Sequence, residues 1–95
     1  MAKPKFRAFD ASDYLEDDEM MADYLATAAA DPNPDVFLLA LADVAKARGM
    51  SEIARATGLG RESLYKALSP GAKPRYETIA KVVSALGGKI TVEAR

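Results

Sequence analysis

Residues 51–69 read SEIARATGLGRESLYKALS, and this stretch limits the fold more than any other. Two short helical patterns, at about 51–57 and 61–68, are separated only by the glycine-flanked turn GLG. Three residues have specific packing reasons. Ala54 is small where a second helix must cross close above it. Gly58 stands where the chain turns sharply, and glycine takes a positive φ at little cost. Leu64 pins the second helix to a core shared with Ile53, Leu59 and Leu68. The two helices therefore meet at a steep angle, and neither can be extended without losing the turn.

That geometry is a helix-turn-helix unit. With Leu64, Ala67 and Leu68 turned inward, the second helix displays Arg61, Glu62, Tyr65 and Lys66. Its brevity suits a helix whose N-terminal end enters a DNA major groove about 12 Å wide. Arg61 can pair with guanine O6 and N7, and Glu62 can accept from cytosine N4. Tyr65 can touch a thymine methyl or a backbone oxygen, and Lys66 can meet phosphate. Gly60 opens this helix at its N-cap. The competing reading is a helical hairpin with an ordinary solvated polar face.

The charge distribution favours the first reading. The formal net charge of −1 over 95 residues conceals a division: residues 1–7 carry three basic side chains, residues 8–45 carry ten acidic and no basic ones, and residues 46–95 carry ten basic and four acidic ones. Such segregation points to nucleic acid on one side and a different partner on the other. The sequence has no cysteine and no histidine. Disulfides, thiol chemistry and the Ser–His and Cys–His nucleophile pairs are thereby excluded, and zinc lacks its usual ligands. No apolar run approaches the ~20 residues of a membrane span, and MAKPKFRAFD lacks a signal peptide's apolar core. A cytoplasmic, non-enzymatic protein without membrane contact is expected.

The remaining elements fit one domain over 1–95. Residues 1–9 read as a flexible arm, and residues 10–31 as an acidic helical extension. In the latter, Asp10 or Ser12 opens a short turn, and a helix follows from about Asp18 to Ala30. Asp17, Asp18 and Glu19 complement its dipole, and Met21, Tyr24, Leu25 and Ala28 form its apolar stripe. The prolines of DPNPD end it. Asn33 as N-cap, Pro34 at the first position and Asp35 in the first turn open the next helix, VFLLALADVAKAR. Being apolar nearly all round, it is expected to be central, with Lys46 and Arg48 in its last turn and Gly49 as its stop. After the loop SPGAKP, YETIAKVVSAL gives a further helix through Ile79, Val82, Val83 and Leu86, ended by Gly87-Gly88. KITVEAR alternates Ile90, Val92 and Ala94 with polar residues, predicting a short strand at 89–94 that must pair with something else.

Three apparent sites dissolve on inspection. DPNPD imitates the start of a calcium loop, but Val36 replaces the glycine, Ala42 replaces the closing glutamate and two prolines intrude. The carboxylates of EDDE at 16–19 fan around a helix instead of converging. GLG at 58–60 lacks the strand and third glycine of a dinucleotide loop. No metal and no cofactor are expected.

The spacing of Ala54, Gly58 and Leu64, with the flanking helices, resembles the lambda-repressor-like helix-turn-helix family over residues 34–87. The resemblance implies an all-α five-helix domain, here with the acidic N-terminal helical extension and the short C-terminal β-strand. It also implies a phosphate contact at the start of the leading helix. That family often has glutamine there; Met50-Ser51 stand in its place, making Ser51 the candidate. Lys73, beyond the reading helix, is a second candidate backbone contact. Over nearly the whole chain, FDASDYLEDDE…YL and GMSEIARATGLGRESLYKALSPGAKP look like the addiction-module antidote family, the HigA-like antitoxins. Gly60 departs from it, since serine is common there. This resemblance implies an antitoxin that binds a RelE-like or HigB-like ribonuclease toxin and represses its own operon.

The implied partners are therefore a cognate toxin and double-stranded operator DNA, read as a palindrome by a homodimer with half-sites about 34 Å apart. Glu16, Asp17, Asp18 and Glu19, with Met21 and Tyr24, are the candidate toxin contacts, acid matching the basic face of an RNA-cleaving toxin. The stripe's alternative is packing on the protein's own core. Val83, Leu86, Ile90 and Val92 are the candidate dimer seam, with closure of the monomer core as their alternative. Two other functions compete: a phage-type or general repressor without a toxin, and a protein-interaction module that never meets DNA.

Overall fold

The computed structural model describes residues 17–95. The expected arm at 1–9, the short turn after Asp10 and the candidate toxin contact Glu16 lie outside the described residues. Within them the chain forms five α-helices: α1 (Asp18–Ala29), α2 (Pro34–Arg48), α3 (Met50–Thr57), α4 (Arg61–Ala67) and α5 (Tyr76–Ala85).

The first boundaries have local causes. The Asp17 carboxylate accepts from the backbone N–H groups of Glu19 and Met20 at 2.8 and 3.1 Å, capping α1. Asp31 accepts from the Asn33 N–H, and Asn33 in turn caps α2 through the Asp35 N–H at 2.9 Å. Pro34 then fills a position whose N–H has no intrahelical partner. Gly49 both ends α2 and precedes α3, leaving no linker between them. Met50, expected just ahead of its helix, is therefore the first helical residue and is buried.

α1 packs on α2, α2 on α3, and α3 on both α4 and α5. One apolar core draws on every helix: Met21 and Leu25, then Leu38, Leu41 and Val44, then Ile53 and Ala54, then Leu64 and Leu68, and last Val82, Val83 and Leu86. The expectation that α2 is central holds, since Leu41, Val44 and Ala45 are 0% exposed. It is not buried all round: Leu39 and Asp43 face outward.

Arg48 fastens the start of α1 and the end of α5 to this core. Its guanidinium donates to the Leu86 carbonyl at 3.0 Å and to the Asp18 carboxylate at 2.8 Å, tying α1, α2 and the end of α5 together. In the sequence Arg48 reads only as a cation suited to a helix C-terminus; its long-range partners carry no local signal.

The predicted strand at 89–94 is not formed, and no strand occurs among the described residues. Residues 88–95 run without regular structure after α5. The alternation of Ile90, Val92 and Ala94 is its one signal in the sequence. A single segment has no ladder to join when all its described neighbours are helices.

Candidate functional site

The turn between α3 and α4 is built as its glycine spacing predicts. Gly58 has φ +76° and ψ +10°, the left-handed conformation. The Leu59 N–H reaches back to the Ala54 carbonyl at 3.2 Å, and the Gly58 N–H reaches those of Ala54 and Arg55 at 3.0 and 3.3 Å. This double closure satisfies carbonyls that a helix end leaves open. Thr57 adds to it. Its buried hydroxyl donates toward the Ile53 and Ala54 carbonyls and accepts weakly from the Leu59 N–H at 3.4 Å. In the sequence the one signal for these bonds is the place of Thr57, just before a helix-ending glycine.

Gly60 is the second special position. With φ +68° and ψ +153° it occupies a region that is essentially confined to glycine. A Cβ there would meet nothing within 4 Å, so space is not the reason for glycine; backbone conformation is. Gly60 is therefore more than a glycine standing where serine is common. α4 starts with no side-chain cap at all.

From that start the helix turns its two faces apart. Leu64 is 0% and Leu68 2% exposed, whereas Arg61, Glu62, Tyr65 and Lys66 are all solvent-exposed. At about 100° per residue the exposed four fall within an arc of about 140°. The Arg61 guanidinium lies 5.8 Å from the Tyr65 ring centroid, a cation–π contact one helical turn apart that holds both side chains on the outer surface. The sequence held this pairing in its spacing of four, but nothing marked it as more than two polar neighbours. Ser69 continues the anchoring through a hydroxyl bond to the Tyr65 carbonyl at 2.8 Å.

The other candidates are exposed on other elements. Ser51 sits in the first turn of α3. Lys73 lies in the loop after α4 with φ +52°, unusual for a residue other than glycine. That loop is fixed by the Gly71 N–H donating to Asp35 at 2.8 Å, so Lys73 stands beside the start of α2. The four α4 residues are thus brought together by one helix, while Ser51 and Lys73 are contributed separately. No cluster of potential metal ligands occurs among the described residues.

The family model for "probable addiction module antidote protein" matches residues 5–94. The chain belongs to this family. A protein of Haemophilus influenzae, described as uncharacterized, is 39% identical over 89 residues, covering 94% of this chain and 92% of the relative. No solved structure matches. An antidote implies a toxin as its partner, so the remaining candidates can be weighed as partner contacts.

Few of those candidates are free to make such contacts. Met21 is 2% exposed and belongs to the core, the alternative expected for the stripe. Tyr24 is half-buried, and its hydroxyl donates to Asp43 at 2.8 Å. Asp17 is occupied as the α1 cap and Asp18 by Arg48, leaving Glu19 as an exposed carboxylate with neither task. Val83 and Leu86 are 5% and 1% exposed and belong to the chain's own core, the alternative expected for them. Ile90 and Val92 remain exposed. No helix among the described residues is long and apolar enough to cross a membrane.

Proposed function

We propose that this antidote is a DNA-binding antitoxin, one that neutralises a RelE-like or HigB-like ribonuclease toxin by direct binding and represses its own operon. α3 and α4 are read as a lambda-repressor-like helix-turn-helix, with α4 as the reading helix. A single observation carries the DNA half: an outward arc of Arg61, Glu62, Tyr65 and Lys66 on a helix whose opposite side is locked by fully buried leucines. Side chains that read base edges must be held by a rigid support and be free of partners in the core. Arg61 and Glu62 stand at the N-terminal end, where a reading helix meets bases, and Lys66 stands a turn later at the level of phosphate.

One seven-residue helix offers too little contact for tight binding. The protein therefore acts as a homodimer on a palindromic site, with Ile90 and Val92 of the extended tail as the remaining candidates for the seam. Family membership supports the toxin half. The mechanism is stoichiometric and non-enzymatic: the bound antidote covers the toxin's RNA-cleaving surface, and the dimer occludes the promoter.

Two measurements test this. A gel-shift titration with the native upstream region should give a saturable complex that excess unrelated duplex does not compete away. Co-expression with the adjacent reading frame should rescue growth and yield a co-purifying pair. Operator binding without rescue identifies a plain repressor, and rescue without operator binding removes the helix-turn-helix role.

A further inference from the structure

We infer that the groove between α1 and α2 is the toxin-docking site, and that it takes a toxin segment presenting an apolar side chain flanked by lysine or arginine. The inference rests on the antitoxin reading and specifies where that partner binds. The groove, of about 630 Å³, is lined by Thr27, Ala28, Val36, Leu39 and Ala40 and edged by Asp23, Asp31 and Asp43. Leu39 is 49% exposed although it lies at the middle of the central helix, where its neighbours Leu38 and Ala40 are buried. An aliphatic side chain left open between carboxylates is an unfilled anchor point, since burying it stabilises a complex while the rim selects the partner's charge. Neither ion pair among the described residues involves Asp23, Asp31 or Asp43. The Tyr24 hydroxyl on Asp43 joins α1 to α2 and keeps the groove's shape.

Charge narrows the occupant to a basic segment. DNA is a polyanion and is repelled by three aspartates. A second copy docking through the same face would set these carboxylates against one another, which opposes association. Residues 1–9 carry Lys3, Lys5 and Arg7 and no acidic side chain, so the chain's own arm matches the groove in sign as well, and the crosslinking test below separates it from a partner protein. A basic protein surface is the complementary partner. Because α4 packs on α3 and the groove belongs to α1 and α2, toxin capture here is separable by mutation from the α4 face.

The test uses the full chain and the product of the adjacent reading frame. Leu39→Glu should raise the dissociation constant for that protein about tenfold or more, and Asp23→Lys should slow association at low ionic strength. Both side chains are exposed, so the melting temperature and binding to the upstream DNA should match wild type. A photo-crosslinking residue in place of Leu39 should yield adducts on a toxin peptide containing lysine or arginine. Wild-type capture by both variants overturns the groove assignment and leaves the antitoxin reading intact. So do adducts confined to residues 1–9 or to a second copy. If the wild-type chain neither rescues growth nor co-purifies with the product, the antitoxin reading itself fails, and the docking site fails with it.

Discussion

Arg61 and Lys66 are both exposed cations on α4, yet they are expected to fail differently when removed. A guanidinium at the start of the helix can address guanine through two parallel N–H bonds, and the Tyr65 ring beneath it limits its freedom before any DNA arrives. Arg61→Ala should therefore relax base preference, lowering discrimination at one position by roughly 1–3 kcal/mol. Lys66→Ala should weaken all duplexes alike and reduce the slope of log affinity against log salt by about 1. Titrations of matched and mismatched duplexes at several salt concentrations separate the two, and wild-type behaviour in both variants would displace the reading face from α4. Arg48 makes the opposite kind of contact, inward and structural. Arg48→Ala leaves the Leu86 carbonyl without this partner and cuts α1 loose from α5, so thermal or denaturant unfolding should show a loss of about 1–2 kcal/mol. The Leu86 bond dominates that figure, because the Asp18 side chain is 75% exposed and its ion pair is screened. Lysine should not restore the loss, as it lacks the fork that spans two acceptors.

At the scale of elements, much was legible in the sequence, and the reason is local chemistry. Asn33-Pro34-Asp35 placed the start of α2, and the spacing of Ala54, Gly58 and Leu64 placed the turn with its buried leucine, because capping and left-handed turns are decided within a few residues. The strand at 89–94 failed for the converse reason: alternation of Ile90 and Val92 is a necessary pattern, but pairing is a long-range condition that no local pattern supplies. Gly60 lies between these cases. Its position before α4 was plain, whereas its ψ of +153° at positive φ is set by how α3 delivers the chain, and this changes the expected effect of mutation. Gly60→Ser would be a gain at an ordinary N-cap. Here the serine must either adopt a glycine-type conformation or move the start of α4. The strain is about 1–3 kcal/mol, and chemical denaturation should register a net loss of stability despite the new hydroxyl. An increase would show that the turn relaxes to an ordinary cap.

Across the described residues, part of the acidic charge seen in the sequence serves structure. Residues 8–45 hold ten acids and no base, yet the fold shows Asp17 capping a helix, Asp18 held by Arg48, Asp35 fixing the loop at Gly71 and Asp43 accepting from Tyr24. Composition could not reveal this, because a carboxylate's task depends on which distant donor the fold brings to it. The candidate site was legible to a similar degree: the α4 face could be read from helical periodicity, while the Arg61–Tyr65 pair, the Thr57 bonds and the α1–α2 groove depend on three-dimensional placement. The distinction governs how electrostatic steering should be tested. Neutralising Asp17 or Asp18 would mix lost stability with lost attraction, so Glu19→Gln combined with Asp23→Asn is the cleaner change. Both positions are exposed on α1, and neither side chain is a cap or a member of an ion pair among the described residues. If the acidic side draws in a basic toxin, this double variant should associate severalfold more slowly at low ionic strength, with dissociation little changed, since steering acts on encounter. The difference should fade as salt rises and the screening length shrinks to about 3 Å near 1 M. Affinity for operator DNA should hold or increase slightly, because two negative charges have been removed. Stopped-flow association across a salt series decides the matter: equal rates at the lowest salt would mean that capture depends on the apolar groove alone, with Leu39 as its anchor.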